Sequence, residues 1–544
     1  MQGLMMNTPL TITALMRHSE RLHGDQQIVS ITGGEGLHRY RFRDCFARAA
    51  RLANVLAELG MRPGDRIGTL AWNDYRHIEL YFAISCSGGI CHTLNPRLFP
   101  EQLAWILNHA EDRVLFIDPM FVPLLEKLRP QLPHLEQIVV LSSAAAMPQT
   151  AMPGVLCYET LLEAASEHFE WPALDEQTAA VLCYTSGTTG NPKGVLYSHR
   201  ALMLHAYAGS MPDALCLSGD DVVLPVVPMF HVNAWGVPYL AAMLGVKMVM
   251  PGPKMGDGET LARLMNEEGV TIALGVPTVW QGLLAYLRSS GTRLRTLRRT
   301  VVGGSACPLA LMKAFEAEHG VWTHHAWGMT ETSPLGTANV PPPNFADLPP
   351  ADQDFIRASQ GRAVFGIEMK IVDGDNRELP WDGRAFGALK VRGPWVARGY
   401  YREEHSSAHD ADGWFDTGDV ATIDPRGYMR ITDRTKDVIK SGGEWISSIE
   451  LENIAVAHPQ VAAAAVIGVP HPKWDERPLL LVVPRPGETP TAAALLAHFE
   501  GRVASWMIPD AVELVAELPL TATGKISKLT LRQRYADYVL SDTA

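Results

Sequence analysis

The chain has 544 residues, 47% of them hydrophobic and 19% charged, and a net charge of −12. That length exceeds one ordinary compact core and predicts a globular protein of two or more domains. The acidic balance excludes an overall basic footprint for nucleic acid, so any anionic ligand has to be met by local cations.

In chain order, residues 44–60 (DCFARAARLANVLAELG) carry apolar positions at helical spacing and end on Gly60. Residues 65–73 read as a strand, 102–110 as a helix, and 113–118 and 137–143 as short apolar strands. This alternation predicts largely parallel sheets covered by helices. Residues 142–154 read as a surface connection. Residues 222–246 carry no Asp, Glu, Lys or Arg and are long enough to span a bilayer. Pro225, Pro228, Pro238, His231 and Asn233 interrupt them, so they read as a buried strand, an irregular loop and a core helix, not as a transmembrane segment. The rhythm resumes through 271–287 and 299–308, and the proline-rich stretch 340–354 reads as a long surface loop. From about Ile367 the chain turns β-rich, with strands over 368–380 and 387–401. A compact unit follows, with helices near 447–459 and 492–504 and strands over 461–470 and 477–484. A domain boundary is placed at Arg434 to Lys436, dividing 1–434 from 435–544.

The seven cysteines are scattered and form no CxxC pair, which suits reduced thiols in a cytoplasm and argues against a cysteine-built zinc site. Residues 1–10 (MQGLMMNTPL) lack the basic and apolar regions of a secretory signal. Residues 184–199, YTSGTTGNPKGVLYSH, follow an apolar strand candidate and precede a helix candidate. A glycine-rich turn in that position aims backbone N–H groups at an anion, and Thr185, Ser186, Thr188, Thr189 and Lys193 add hydroxyls and a charge. The spacing is not that of a Walker A loop.

TSGTTGNPKG, AWGMTE (326–331), DTGD (416–419), DRTKDVIKSGGE (433–444) and PLTATGK (519–525) occur in this order. Together they resemble the adenylate-forming superfamily of acyl-CoA synthetases, firefly luciferase and peptide-synthetase adenylation domains, over nearly the whole chain. The resemblance implies an α/β fold. It has a large N-terminal domain of two helix-flanked β-subdomains with a small β-barrel-like region, then a small mobile α+β C-terminal domain. It also implies a reaction in two halves. A carboxylate attacks the α-phosphorus of ATP to give acyl-AMP and pyrophosphate, and the thiol of coenzyme A then takes the acyl group and releases AMP. Two like charges ~4 Å apart repel by about 4 kcal/mol at an effective dielectric of 20, so the first half needs cations. Mg²⁺ favours oxygen ligands and phosphates, and by resemblance Thr185 and Glu331 hold it.

The resemblance also implies site residues. Ser186, Gly187, Thr188, Thr189, Gly190 and Lys193 cradle the β,γ-phosphates. Lys525 bridges carboxylate and α-phosphate, where a positioned cation stabilises the developing charge. Asp419 and Arg434 meet the ribose. Gly304, Ala326, Trp327 and Thr330 form the adenine side, with Trp327 where the family usually has tyrosine. Lys440 and Trp445 touch the nucleotide, Lys436 is the hinge between half-reactions, and Gly442 and Gly443 let backbone pass pantetheine. His231 lies beside the reacting carboxylate, and Val232, Asn233, Trp235, Gly303 and Gly304 line the acyl tunnel.

The chain most resembles bacterial medium- and long-chain fatty acid–CoA ligases, the medium-chain group above all, with 3-methylmercaptopropionate–CoA ligases or another short- or long-chain acyl-CoA synthetase as the alternative. A catalytically silent nucleotide sensor and a carrier-protein acylase are the readings of other classes, the first opposed by the intact Lys525, Glu331 and Thr185. The resemblance further implies a cytoplasmic homodimer involving LHRYRFRD (37–44) and reversible acylation of Lys525.

Overall fold

The computed structural model describes residues 1, 3–185, 191–404, 408–442, 444–520, 526–538 and 540. Two large sheets dominate the first part of the chain. One is seven-stranded, and runs from Leu156–Cys157 through Gln137–Val140, Val114–Ile117, Arg66–Leu70, Ile90–Thr93 and Ala179–Tyr184 to Gly194–Ser198. All its pairings are parallel except the last. The other is nine-stranded, with a parallel centre that includes Val222–Pro225, Ile272–Gly275, Arg299–Val302 and Trp322–Gly328. Strands buried on both faces read as continuous apolar runs, which explains IALG and RTVV.

The helix Tyr75–Cys86 packs on strands of both sheets and is buried along its whole length. Its sequence hides this, because Arg76 and Glu79 look like surface residues. Glu79 is instead paired with Arg48 at 2.7 Å, and Arg76 with Glu159 at 2.7 Å. Buried charges are tolerated when paired in this way. Asn73, just before this helix, ties the sheets together. Its amide donates to the carbonyls of Pro225 and Val227 (3.0 and 2.8 Å) and accepts from Met229 N at 2.6 Å.

Three expectations need correction. The region expected to be barrel-like is an open four-stranded antiparallel sheet of Glu368–Val372, Phe386–Arg392, Phe415–Ile423 and Met429–Arg434. It does not close, because the outer strand turns its free edge to Gly361, with Met429 N donating to Gly361 O at 2.8 Å. The second strand stops at Arg392, where Gly393 and Pro394 break it, so 393–401 are not strand. The proline-rich loop contains the helix Pro350–Ala358, which has proline at its first position and Asp352 in its first turn, both favourable at a helix start.

The last part of the chain forms a five-stranded sheet of its own, built around the hairpin Val461–His471 and Asp475–Pro484. Phe499 and Leu451 pack on one face and Leu531 on the other. No helix among the described residues is long and apolar enough to cross a membrane.

Candidate active site

The glycine-rich segment does not lead from a strand into a helix. Ala179–Tyr184 and Gly194–Ser198 form an antiparallel hairpin, closed by Thr185 N donating to Lys193 O at 2.9 Å and by Lys193 N donating to Thr185 Oγ1 at 3.2 Å. Val195 and Tyr197 are buried while Leu196 is exposed, which is the two-residue period of a strand. The helix His199–Ser210 starts only afterwards, capped by Ser198, so its N-terminus is not the anion site. Ser186, Gly187, Thr188, Thr189 and Gly190 lie outside the described residues, as do Gly443 and Lys525 and the side chain of Trp445.

Lys193 and Glu331 meet at Tyr400, which no motif in the sequence marks. The hydroxyl of Tyr400 donates to Glu331 Oε1 at 2.7 Å, and the Lys193 ammonium lies 4.5 Å from the centre of the Tyr400 ring. Glu331 sits in the short turn Thr330–Thr332 and is only 6% exposed. Burial raises its pKa, and the Tyr400 hydroxyl works against that rise. The Thr330 carbonyl accepts from Tyr197 OH at 2.6 Å, which fixes the turn against the hairpin. Glu331 and Thr185 offer a carboxylate and a hydroxyl, and among the described residues no group of three or more His, Cys, Asp or Glu could hold a metal ion. The carboxylate and the hydroxyl are both oxygen donors of the kind a hard cation such as Mg²⁺ takes.

A second cluster joins Asp419, Arg434 and Trp327. Asp419 is buried at the register position opposite Arg434. Its Oδ1 lies 2.7 Å from Arg434 Nε, and its Oδ2 accepts from Trp327 Nε1 at 2.8 Å. Each carboxylate oxygen keeps a second lone pair. Trp327 is therefore held by its ring N–H, a bond the sequence reading did not foresee.

The third cluster lies at the carboxyl ends of the parallel strands, where open α/β sheets bind ligands. After Val222–Pro225 the chain runs through the loop anchored by Asn73, and the Met229 carbonyl accepts from Tyr81 OH. His231 is half-buried at the end of this loop. Val232, Asn233, Ala234 and Trp235 then take φ values of 45°, 55°, 48° and 57°, a left-handed turn built without glycine. Such backbone costs roughly 1–2 kcal/mol per residue and collects at functional sites. It lays the Trp235 indole against Gly303: a methyl group on Gly303 would sit 3.0 Å from Cη2 of Trp235 and 3.3 Å from the Ala326 carbonyl oxygen. Gly304 follows at φ 81°. Asn233 is fully buried, its Oδ1 accepting from Cys183 Sγ at 3.8 Å while Nδ2 has no protein partner. Trp235, expected at the acyl tunnel, and Ala326, expected on the adenine side, thus meet at Gly303.

Lys440 and Gly442 lie on the hairpin Ile439–Ser441 and Glu444–Ile446 of the small unit. Lys440 N donates to Glu476 Oε2 at 2.9 Å. Gly442 has φ 60°, and a methyl group there would sit 2.7 Å from the Trp474 ring, so packing inside the protein already requires this glycine. Lys436 is exposed in the turn after Arg434. Signals for the missed residues were weak. Tyr400 sat in a stretch read as strand, and Asn73 is a lone amide with no motif around it.

The family model described as AMP-binding enzyme matches residues 16–401, and AMP-binding enzyme C-terminal domain matches 450–525. The chain is 54% identical over 537 residues to 3-methylmercaptopropionyl-CoA ligase of Ruegeria lacuscaerulensis, covering 99% of each chain. It is 49% identical over 544 residues to medium-chain-fatty-acid–CoA ligase of Ectopseudomonas oleovorans, covering 100% of this chain and 99% of the other. The crystal structure of the anthranilate CoA ligase AuaEII in complex with anthranoyl-AMP superposes with a TM-score of 0.85 at 28% identity, over 96% of each chain.

Proposed function

We propose that this chain, which belongs to the AMP-binding enzyme family, is an AMP-forming acid–thiol ligase that joins a medium-chain fatty acid to coenzyme A through an acyl-AMP intermediate. The observation that supports this reading best is the meeting of the Glu331 carboxylate and the Lys193 ammonium on Tyr400. It sets an acid able to hold a cation beside a base able to hold phosphate.

In this reading Lys193 draws the β,γ-phosphates, the part that leaves as pyrophosphate. Glu331 and Thr185 would hold Mg²⁺, which would supply neutralising charge between the acid carboxylate and the triphosphate. Asp419 accepts from the ribose hydroxyls through its remaining lone pairs, with Arg434 beside it. His231 orients the acid carboxylate, and the acyl chain runs along Trp235 and Gly303. Lys525 stabilises the charge developing at the α-phosphorus. Residues 1–434 hold acid and nucleotide, and 435–544 turn at Lys436 between the half-reactions. The enzyme works as a homodimer in the cytoplasm, an assembly that sedimentation checks.

Each buried CH₂ is worth about 0.8 kcal/mol, roughly fourfold in affinity, so kcat/KM for CoA-dependent turnover rises with chain length up to about C6–C10. A profile from propionate to palmitate tests this. The greater identity to a 3-methylmercaptopropionyl-CoA ligase favours a second reading, in which the same site takes that short thioether acid. A maximum there, with no rise towards octanoate, selects the second reading. Absence of pyrophosphate release with any acid and ATP leaves only a nucleotide sensor.

A further inference from the structure

Residues 397–403 cross from the metal acid to the phosphate lysine as a strap. At one end Ala397 N donates to Glu331 O at 2.7 Å. In the middle Tyr400 meets both Glu331 and Lys193. At the other end Tyr401 N donates to Gly194 O at 2.7 Å, and Arg402 takes Glu111 with two nitrogens (2.9 and 2.6 Å) and donates to His109 O at 2.9 Å. These bonds fix the next residue, Glu403, against the hairpin, with Glu403 Oε2 3.2 Å from Lys193 Nζ.

We propose that Glu403 holds Lys193 in place of the nucleotide's terminal phosphates and is displaced by them. The proposal rests on the reading of Lys193 as a phosphate lysine. The side chains of Lys193 and Glu403 are 43% and 35% exposed. An ion pair so wet is weak and screened, so a polyanion of higher charge can break it. The Tyr400 ring keeps the ammonium in place during the exchange, since its attraction for a cation survives the loss of the carboxylate. The same pair acts again when pyrophosphate leaves, because Glu403 returns to Lys193 and competes with rebinding. Glu403 is thus a positioning residue that weakens the hold on the leaving group.

The test is calorimetric titration of the full chain with inorganic pyrophosphate and, separately, with AMP. A wet ion pair is worth up to about 1 kcal/mol, so Glu403→Gln binds pyrophosphate about three- to fivefold more tightly. AMP, which lacks the β,γ-phosphates, binds as before. Glu404→Gln removes the same charge from the exposed neighbouring residue and leaves pyrophosphate binding unchanged. Lys193→Ala weakens pyrophosphate binding, and Glu403→Gln added to it brings no gain. An unchanged or weaker affinity in Glu403→Gln overturns the proposal, as does an equal gain in Glu404→Gln or a gain that persists without Lys193. Pyrophosphate binding indifferent to Lys193→Ala instead removes the phosphate reading of Lys193 itself.

Discussion

The proposed nucleotide side and the proposed acid side of this site are built by different means. On the nucleotide side, charged groups are pinned by other polar groups: Asp419 by Arg434 and Trp327, Glu331 by Tyr400. On the acid side almost nothing is charged. Position there is set by backbone, through the left-handed turn Val232–Trp235 and the loop that Asn73 anchors. A reaction that always consumes ATP but must choose among acids can keep the first side and re-cut the second. The nucleotide side should therefore answer to single changes of charge, and the acid side to single changes of shape.

The largest separation comes from Lys525→Ala. Loss of a positioned charge at a transition state costs about 10²–10³ in rate or more, so adenylate formation collapses while thioester formation from supplied acyl-AMP survives. Equal loss of both half-reactions would mean that Lys525 serves the fold. Next is Asp419→Asn. Arg434 and Trp327 face different oxygens of Asp419, so the amide turns an NH₂ towards one of these donors, and a mispaired buried donor costs about 1–3 kcal/mol. The expected outcome is a rise in the KM for ATP together with a lower denaturant midpoint, at unchanged preference among acids. A changed acid profile would break the division between the two sides.

Tyr400→Phe probes pH. Burial raises the Glu331 pKa above its ordinary 4.5, and the Tyr400 hydroxyl opposes that rise. Protonated Glu331 is neutral and cannot hold a cation, so activity falls as pH drops through its pKa. Removing the hydroxyl moves this acid limb to higher pH, read from kcat/KM for MgATP; a shift to lower pH refutes the role given to Tyr400. On the acid side, Gly303→Ala adds a methyl 3.0 Å from Trp235. Narrowing the tunnel shortens the preferred acid by one or two carbons, roughly a four- to sixteenfold loss for the longest acid accepted. The KM for ATP stays where it was.

The same contrast decides what the sequence could reveal. Asp419 and Glu331 were legible through the resemblance of DTGD and AWGMTE to a family's motifs, and Lys193 also through the glycine- and threonine-rich stretch before it. The helix beyond Ser198 is where its apolar spacing puts it, whereas the strand Gly194–Ser198 before it is signalled only by the short alternation of GVLYS. Tyr400 was hidden because GYY reads as the tail of a strand until Gly393 and Pro394 are weighed. The helix Tyr75–Cys86 was hidden because Arg76 and Glu79 find their partners only in the folded chain. The left-handed turn had no local signal at all. A β-branched valine at positive φ contradicts its own preference, and the loop before the turn is held by Asn73 and Tyr81, which lie far away in sequence.

That strain gives the smallest and most direct test. Ala234 and Ala53 are both fully buried, the first in the left-handed turn and the second in the helix Phe42–Glu58. Alanine to glycine at either site removes a buried methyl, worth about 0.8 kcal/mol, and adds about 0.5–1 kcal/mol of backbone entropy cost. At Ala53 nothing offsets this, so the expected loss is about 1.5 kcal/mol. At Ala234 the same change releases the roughly 1–2 kcal/mol that a Cβ costs in left-handed backbone, and stability stays within about 0.5 kcal/mol of the parent. Urea midpoints at a common slope measure the difference. Equal losses at the two alanines would mean that Val232–Trp235 carries no strain, and the acid side would then owe its shape to side chains after all.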